Sequence, residues 1–213
     1  MADSALFTWS VVIPVKVLTK AKSRLAGLGP RRRRELALAM AGDTVAAAVA
    51  CPRVAHVIVI TDDPSARNAL ESLGATVIPD EPRDGLNAAL RHGADFARST
   101  WPGSGLAALS ADLPALRPAE LAAALAEAER WPNAFVADAA GEGTTLYTAM
   151  PGTPFCPEFG VRSQARHTAA GATELGLADI AGLRRDVDTP ADLRAAALIG
   201  LGPRSLRYAP RDR

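Results

Sequence analysis

The stretch VVIPVKVLTKAKSRLAGLGP, Val11 to Pro30, sets the reading of the whole chain. Val11-Val12-Ile13 is a β-branched run of the kind that fills a buried strand, and Pro14 ends it because a proline nitrogen has no hydrogen for a ladder. A helix is expected from Pro30. Between strand and helix the chain delivers Lys16, Lys20, Lys22, Ser23 and Arg24, a cationic loop that calls for a negative partner.

Outward from that unit, short β-branched runs alternate with longer alanine- and leucine-rich stretches of helical period, the pattern of βα units around a mostly parallel sheet. Strands are expected at residues 10–15, 55–61, 76–79, 105–110, 134–137 and 144–149. Helices are expected near 30–50, 65–73, 85–98, 118–130 and 191–198. Asp63-Pro64, Arg117-Pro118 and Thr189-Pro190 place proline where a first helical residue has no N–H to lose. The less regular part, residues 151–185, is expected to cover the edge or mouth of the sheet. The expectation is a single α/β domain over residues 1–213, with about 203–213 as a flexible basic tail.

Composition excludes several classes. Lys and Arg number 24 against 23 Asp and Glu, a net charge of +1, so no strongly basic face for nucleic acid or a membrane surface is implied. MADSALFTWS lacks a charged start followed by an apolar core, and no uninterrupted apolar segment reaches the roughly 18 residues that span a bilayer. A cytoplasmic protein is expected. Cys51 and Cys156 stand far apart without a CxxC spacing, which reads as two structural fillers.

Ligands of open α/β sheets bind beyond the carboxyl ends of the parallel strands. After the first strand come Lys16 to Arg24; after the second, Asp62 and Asp63; after the third, Asp80 to Asn87; after the fourth, Ala111-Asp112-Leu113-Pro114. Cations at one loop and carboxylates at others suit a phosphate ester held with a divalent metal. The basic loop has neither the Walker pattern nor GxGxxG, so Lys16, Lys22 and Arg24 would grip phosphates by charge-assisted hydrogen bonds; a solvated basic loop is the plain alternative. Arg31–Arg34 reads as a solvated helix end.

In LAALSADLP an apolar strand delivers Asp112 to the crevice, as a metal ligand or as a turn cap. In RRDVDTPADL, Asp186 and Asp188 are two apart and project to the same side of an extended segment, which suits a cation. Capping of the helix at Pro190 accounts for part of that motif, with Asp188 or Thr189 as N-cap and Asp192 at the positive helix end, but accounts less readily for Asp186.

With these residues in order, the chain resembles the nucleotidyltransferase fold of the molybdenum-cofactor guanylyltransferase type, and more closely the CofC/FbiD family of guanylyltransferases of coenzyme F-420 biosynthesis. The match is carried by IPVK with AKSRL, DGLNAAL, ADLP, GEGTTL, FGVRSQARH and DVDTPADL, from Ile13 to Leu193. The resemblance implies a Rossmann-like three-layer αβα fold with a mostly parallel mixed sheet. It implies that Asp112 and Asp188, with Asp186 as a weaker candidate, hold magnesium, and that Lys16, Lys22 and Arg24 meet the GTP phosphates. It further implies that Pro14, Ser23, Gly85 and Asn87 line the nucleotide site, and that Thr144, Gly160 and Ser163 bind a phosphorylated three-carbon acid. His167 is either a ligand there or a buried structural histidine. The family also suggests a homodimer and hand-over of an unstable product to the next enzyme.

The reaction implied is attack of the acceptor's phosphate oxygen on the α-phosphorus of GTP, with release of pyrophosphate; phosphoenolpyruvate and 2-phospho-L-lactate are the implied acceptors. The rival readings are a nucleotidyltransferase on another acceptor, such as 3-phosphoglycerate or a sugar phosphate, and a non-catalytic nucleotide-binding module. Retention of Asp112 and Asp188 speaks against the module.

Overall fold

The computed structural model describes residues 7–18 and 29–209. Among the described residues seven strands form one sheet, in the order β3-β2-β1-β4-β6-β5-β7. They are β1 (Trp9–Pro14), β2 (Val54–Ile60), β3 (Thr76–Ile78), β4 (Gly105–Leu109), β5 (Asn133–Ala137), β6 (Thr144–Ala149) and β7 (Thr173–Glu174). The β1–β2, β1–β4 and β2–β3 pairs are parallel, whereas β6 runs antiparallel to both β4 and β5. The sheet is thus mixed and mostly parallel. Its connections reverse direction at β1 and β4, the switch point where a crevice opens beyond the strand ends.

The helices are α1 (Pro30–Val49), α2 (Pro64–Glu71), α3 (Leu86–Thr100), α4 (Pro118–Ala128), α5 (Ser163–Ala169), α6 (Ala181–Arg184) and α7 (Pro190–Ile199). The two faces of β1 explain the layering. Trp9, Val11 and Ile13 point into a core with Ala41, Val45 and Ala48 of α1, Leu70 of α2 and Leu121 and Leu125 of α4. Val12 points the other way, into a core with Ile58, Ile60 and the α3 residues Ala89, Leu90, Ala94 and Ala97. Burial on both faces is why the central strands read as continuous apolar runs. Helix α3 lies close to the sheet because position 93 is glycine: a Cβ there would come within 2.6 Å of Val12 Cγ1 and 2.7 Å of Ile60 Cδ1.

The strands and long helices expected from periodicity are present, with ends displaced by one or two residues. The segment after Pro151 holds more than an irregular cover, because α5, β7 and α6 lie within it. The expected tail is also different. Asp43 of α1, nearly fully buried, accepts the backbone N–H groups of Arg204 (3.1 Å) and Ser205 (2.7 Å), and Gly202 N–H reaches Pro114 O at 2.7 Å. Residues 203–209 are therefore held against α1, with Ser205 buried and a 3-10 turn at Leu206–Tyr208, and only residues 210–213 of that segment lie outside the described ones. A buried carboxylate satisfying two chain-terminal amides is a tie that composition cannot show.

Candidate active site

At the switch point, Pro14, Val15 and Lys16 from the end of β1 and Gly85, Leu86 and Ala89 from the start of α3 line one pocket, together with Ile60 and Asp80. The walls are mainly apolar, with Lys16 and Asp80 as opposite charges at the rim. Gly85 stands immediately before α3 with φ 86°, a left-handed conformation that glycine adopts without steric cost. The structure thus brings Pro14, Lys16 and Gly85 together. Lys22, Ser23 and Arg24 lie outside the described residues.

Two carboxylates that sequence reasoning placed at the strand ends serve as ties. Asp63, nearly fully buried, caps α2 by accepting from Ser65 N (2.9 Å) and Ala66 N (3.2 Å), and its other oxygen accepts from Leu18 N (3.1 Å). It therefore anchors the segment after Lys16. Asp62 accepts from Asp80 N (3.2 Å) and Arg83 Nε (3.2 Å) and fixes the loop after β3, in which Arg83 itself has φ 48°.

Asp112 is presented by a rigid turn. The buried Thr44 hydroxyl of α1 accepts from Leu113 N (3.1 Å), and its single hydrogen is shared between Met40 O (3.0 Å) within the helix and Ala111 O (3.2 Å), which ties the turn around Asp112 to α1. Asp112 O accepts from Val187 N at 3.1 Å, so the turn after β4 and the Asp186–Asp188 segment are bonded directly. Val187 is buried with Leu36, Met40, Ala115, Leu193 and Ala196, which fixes the facing of the segment and leaves Asp186 and Asp188 half-buried on either side of it. The cap of α7 is Thr189, which accepts from Asp192 N, while Asp192 Oδ2 accepts from Thr189 N (2.8 Å) and Asp188 N (3.2 Å). The side chain of Asp188 is therefore not the cap. Among the described residues no group of three or more His, Cys, Asp or Glu is arranged to hold a metal. An all-oxygen donor pair suits magnesium, which is commonly bound by one or two carboxylates and completes its shell with substrate phosphates and water.

The third group sits where β6 meets α5. The β5–β6 register slips between Val136 and Ala137, so Leu146 pairs with Val136 while Thr144 pairs with Ala137. This bulge brings Thr144 to the face of the sheet that carries Tyr147 and His167. Asp138 closes the preceding turn by accepting from Glu142 N and Gly143 N, and the Glu142 side chain is exposed. Gln164 N–H bonds Glu142 O and Ser163 N–H bonds Gly160 O, so the Thr144 turn and the Gly160–Ser163 segment are stitched together. Ser163 and His167 share the buried face of α5.

His167 is wholly buried among Phe135, Tyr147 and Phe159, and burial, reinforced by Arg166, lowers its pKa to about 4. Its Nδ1 is 2.9 Å from Thr144 Oγ1 and its Nε2 accepts from Glu158 N at 2.8 Å. Asn87, expected beside the nucleotide, uses its amide otherwise: Nδ2 donates to Phe159 O (3.1 Å) and Oδ1 accepts from Phe159 N (2.9 Å). It links the first turn of α3, at the pocket, to the loop that carries Gly160. Arg166 donates to Glu158 O and Phe159 O and completes that loop's anchoring. Nothing in local sequence pattern signals these ties, which join residues up to 72 positions apart.

A family model described as guanylyl transferase, CofC like, matches residues 9–209. The chain is 58% identical over 210 residues to a phosphoenolpyruvate guanylyltransferase of Thermomonospora curvata, covering 99% of this chain and 92% of that protein. It is 56% identical over 204 residues to the enzyme of that name from Streptomyces coelicolor, covering 95% and 96%. Among solved structures, a nucleotidyl transferase from Methanothermobacter superposes with a TM-score of 0.62 at 20% identity, over 94% of this chain and 99% of that one. CMP:2-keto-3-deoxy-manno-octonic acid synthetase complexed with CTP superposes with a TM-score of 0.57 at 18% identity, over 90% and 98%. At those identities the superpositions speak for the nucleotidyltransferase fold.

Proposed function

The chain belongs to the CofC-like guanylyl transferase family, and on that premise we propose that it transfers GMP from GTP to the phosphate of phosphoenolpyruvate as a magnesium-dependent enzyme. The observations that carry this reading, beside the family match, are the pocket at the ends of β1 and β2 and the direct bond from Val187 N to Asp112 O that joins the two carboxylate segments. The β1–α3 pocket takes the nucleotide, the bonded Asp112 and Asp186–Asp188 segments take the metal, and the Thr144–Gly160–Ser163 cluster takes the acid.

The step forms one bond, from the acceptor's phosphate oxygen to the α-phosphorus of GTP, and breaks the bond from that phosphorus to the bridging oxygen of pyrophosphate. A phosphate monoester has a second pKa of about 6, so the nucleophile arrives largely as a dianion and needs little from a general base. The task of the chain is to hold two polyanions in line against their repulsion. Lys16 lies at the pocket rim to offset charge on the GTP phosphates, and Lys22 and Arg24, with Ser23 beside them, extend that role. Apolar side chains of Ile60, Leu86 and Ala89 take the nucleoside. Thr144 and Ser163 offer hydroxyls, and Gly160 leaves backbone open to the acid's carboxylate and phosphate. Asp112 and Asp188, with Asp186 next to them, would hold magnesium, which on binding supplies positive charge against the triphosphate.

Coenzyme F-420 biosynthesis is the process this activity serves, in the cytoplasm. A homodimer and direct hand-over of an unstable guanosine-diphospho acid to the next enzyme belong to the same reading, as does a single domain over residues 1–213. The test is incubation with GTP and magnesium and, separately, phosphoenolpyruvate, 2-phospho-L-lactate and 3-phosphoglycerate, with ATP replacing GTP as a control. Pyrophosphate release and mass detection of the product report turnover. Product with phosphoenolpyruvate and GTP is expected; turnover confined to one of the other acids, or equal turnover with ATP, overturns the assignment of acceptor or nucleotide.

A further inference from the structure

We propose that His167 is a positioning residue for the acceptor: it fixes the Thr144 hydroxyl as a hydrogen-bond donor toward the acid and holds the loop carrying Gly160. The inference rests on the reading that Thr144, Gly160 and Ser163 bind the acid.

The logic is one of proton counting. A backbone N–H can only donate, so the 2.8 Å bond from Glu158 N requires that His167 Nε2 carry no proton. A neutral imidazole has a single ring proton, which must then sit on Nδ1, where the Ser163 carbonyl and Thr144 Oγ1 (2.9 Å) share it as acceptors. With a lone pair of the Thr144 oxygen occupied in this way, its own hydrogen is directed elsewhere, and among the described residues no acceptor takes it. That hydrogen is available to an anionic oxygen of the substrate. The β-bulge that brings Thr144 to this face and the aromatic box of Phe135, Tyr147 and Phe159 around the ring hold both partners in place. The same imidazole, through Glu158 N, sets the start of the Glu158–Phe159–Gly160 loop, whose next residue is bonded by Asn87. A protonated ring would break this arrangement, since Nε2 would then confront Glu158 N–H with a second donor.

Three measurements test this. First, nitrogen NMR of the unsubstituted protein at neutral pH should show His167 as the Nδ1–H tautomer; an Nε2–H tautomer or an imidazolium overturns the proposal regardless of how any variant folds. Second, His167→Gln should raise KM for phosphoenolpyruvate by about tenfold, the worth of one hydrogen bond of about 1.4 kcal/mol, with KM for GTP unchanged. His167→Asn, whose amide nitrogen can occupy the Nδ1 position, should recover part of that loss. Equal rises in both KM values, or no rise in either, overturns it. Third, Thr144→Val should raise the acid's KM, and the double variant Thr144→Val/His167→Gln should be no worse than Thr144→Val alone. Additive losses overturn the coupling. If Thr144→Val leaves the acid's KM untouched, the acceptor-site reading fails and this inference with it, whereas an effect of Thr144→Val without one of His167→Gln sinks only the inference.

Discussion

Asp112 illustrates how a single side chain can matter to turnover and little to folding. The turn that carries it is held by backbone bonds, from Leu113 N to Thr44 Oγ1 and from Val187 N to the Asp112 carbonyl, which stay in place when the carboxylate becomes an amide. Asp112→Asn is therefore expected to lower kcat on the order of 10²–10³-fold, as loss of a charge aimed at the reacting centre does, with Tm nearly unchanged by calorimetry. His167 has the opposite profile. Burial lowers its pKa from 6.5 to about 4, so the unfolded chain takes up the proton first. The stability that depends on a neutral His167 is fully present above pH 6.5, is lost as pH falls from there to about 4, and changes no further below. Over that window the loss should approach roughly 3 kcal/mol, and His167→Gln should flatten this part of the stability–pH curve measured by urea unfolding.

Among the elements, α3 carries the sharpest constraint. Its glycine at position 93 lets it approach Val12 and Ile60, and its first turn supplies Gly85, Leu86 and Asn87 to the pocket and the adjoining loop. Gly93→Ala should cost roughly 1–3 kcal/mol by overpacking, read as a lower urea midpoint, and should raise KM for GTP because the pocket wall moves with the helix. The long elements were legible in the sequence because period 2 and period 3.6 report which face is buried, and proline marked three helix starts. Helix α5 was not, since its sequence SQARHTA has no apolar stripe and the residue that caps its start, Arg162, is a non-glycine residue at φ 56°. At the candidate site, Pro14, Lys16 and Gly85, which line one pocket, could be picked out because they follow strands or stand in an ordered motif. The roles of Asp62, Asp63, Thr44 and Asn87 could not, because each is set by a hydrogen bond to a backbone group brought close only by the fold.

At the scale of the whole molecule, the chain closes on itself through Asp43. The segment after α7 returns to α1 and Pro114, behind the turn that presents Asp112, and Arg117 donates to Ile199 O at 2.9 Å on the same side. Asp43→Ala leaves two backbone amides without their acceptor and should cost roughly 2–4 kcal/mol. For a chain of this size that corresponds to about 2–4 °C in Tm per kcal/mol, measurable by calorimetry.

The antiparallel strand β6 divides the sheet into two territories with different trades. On one side β3, β2, β1 and β4 run parallel, and the ends of β1 and β2 with the loop after β3 line the pocket proposed for the nucleotide; on the other β6, β5 and β7 carry the turn and helix proposed to receive the acid. On the proposed assignment such a plan is modular: the receiving half could be remodelled to accept a different phosphorylated compound while the half proposed for GTP stays as it is. Asn87 is the rivet between the modules, so a chimera that exchanges residues 138–174 between two such proteins must preserve its paired bonds to the backbone at Phe159 if the two halves are to work in register.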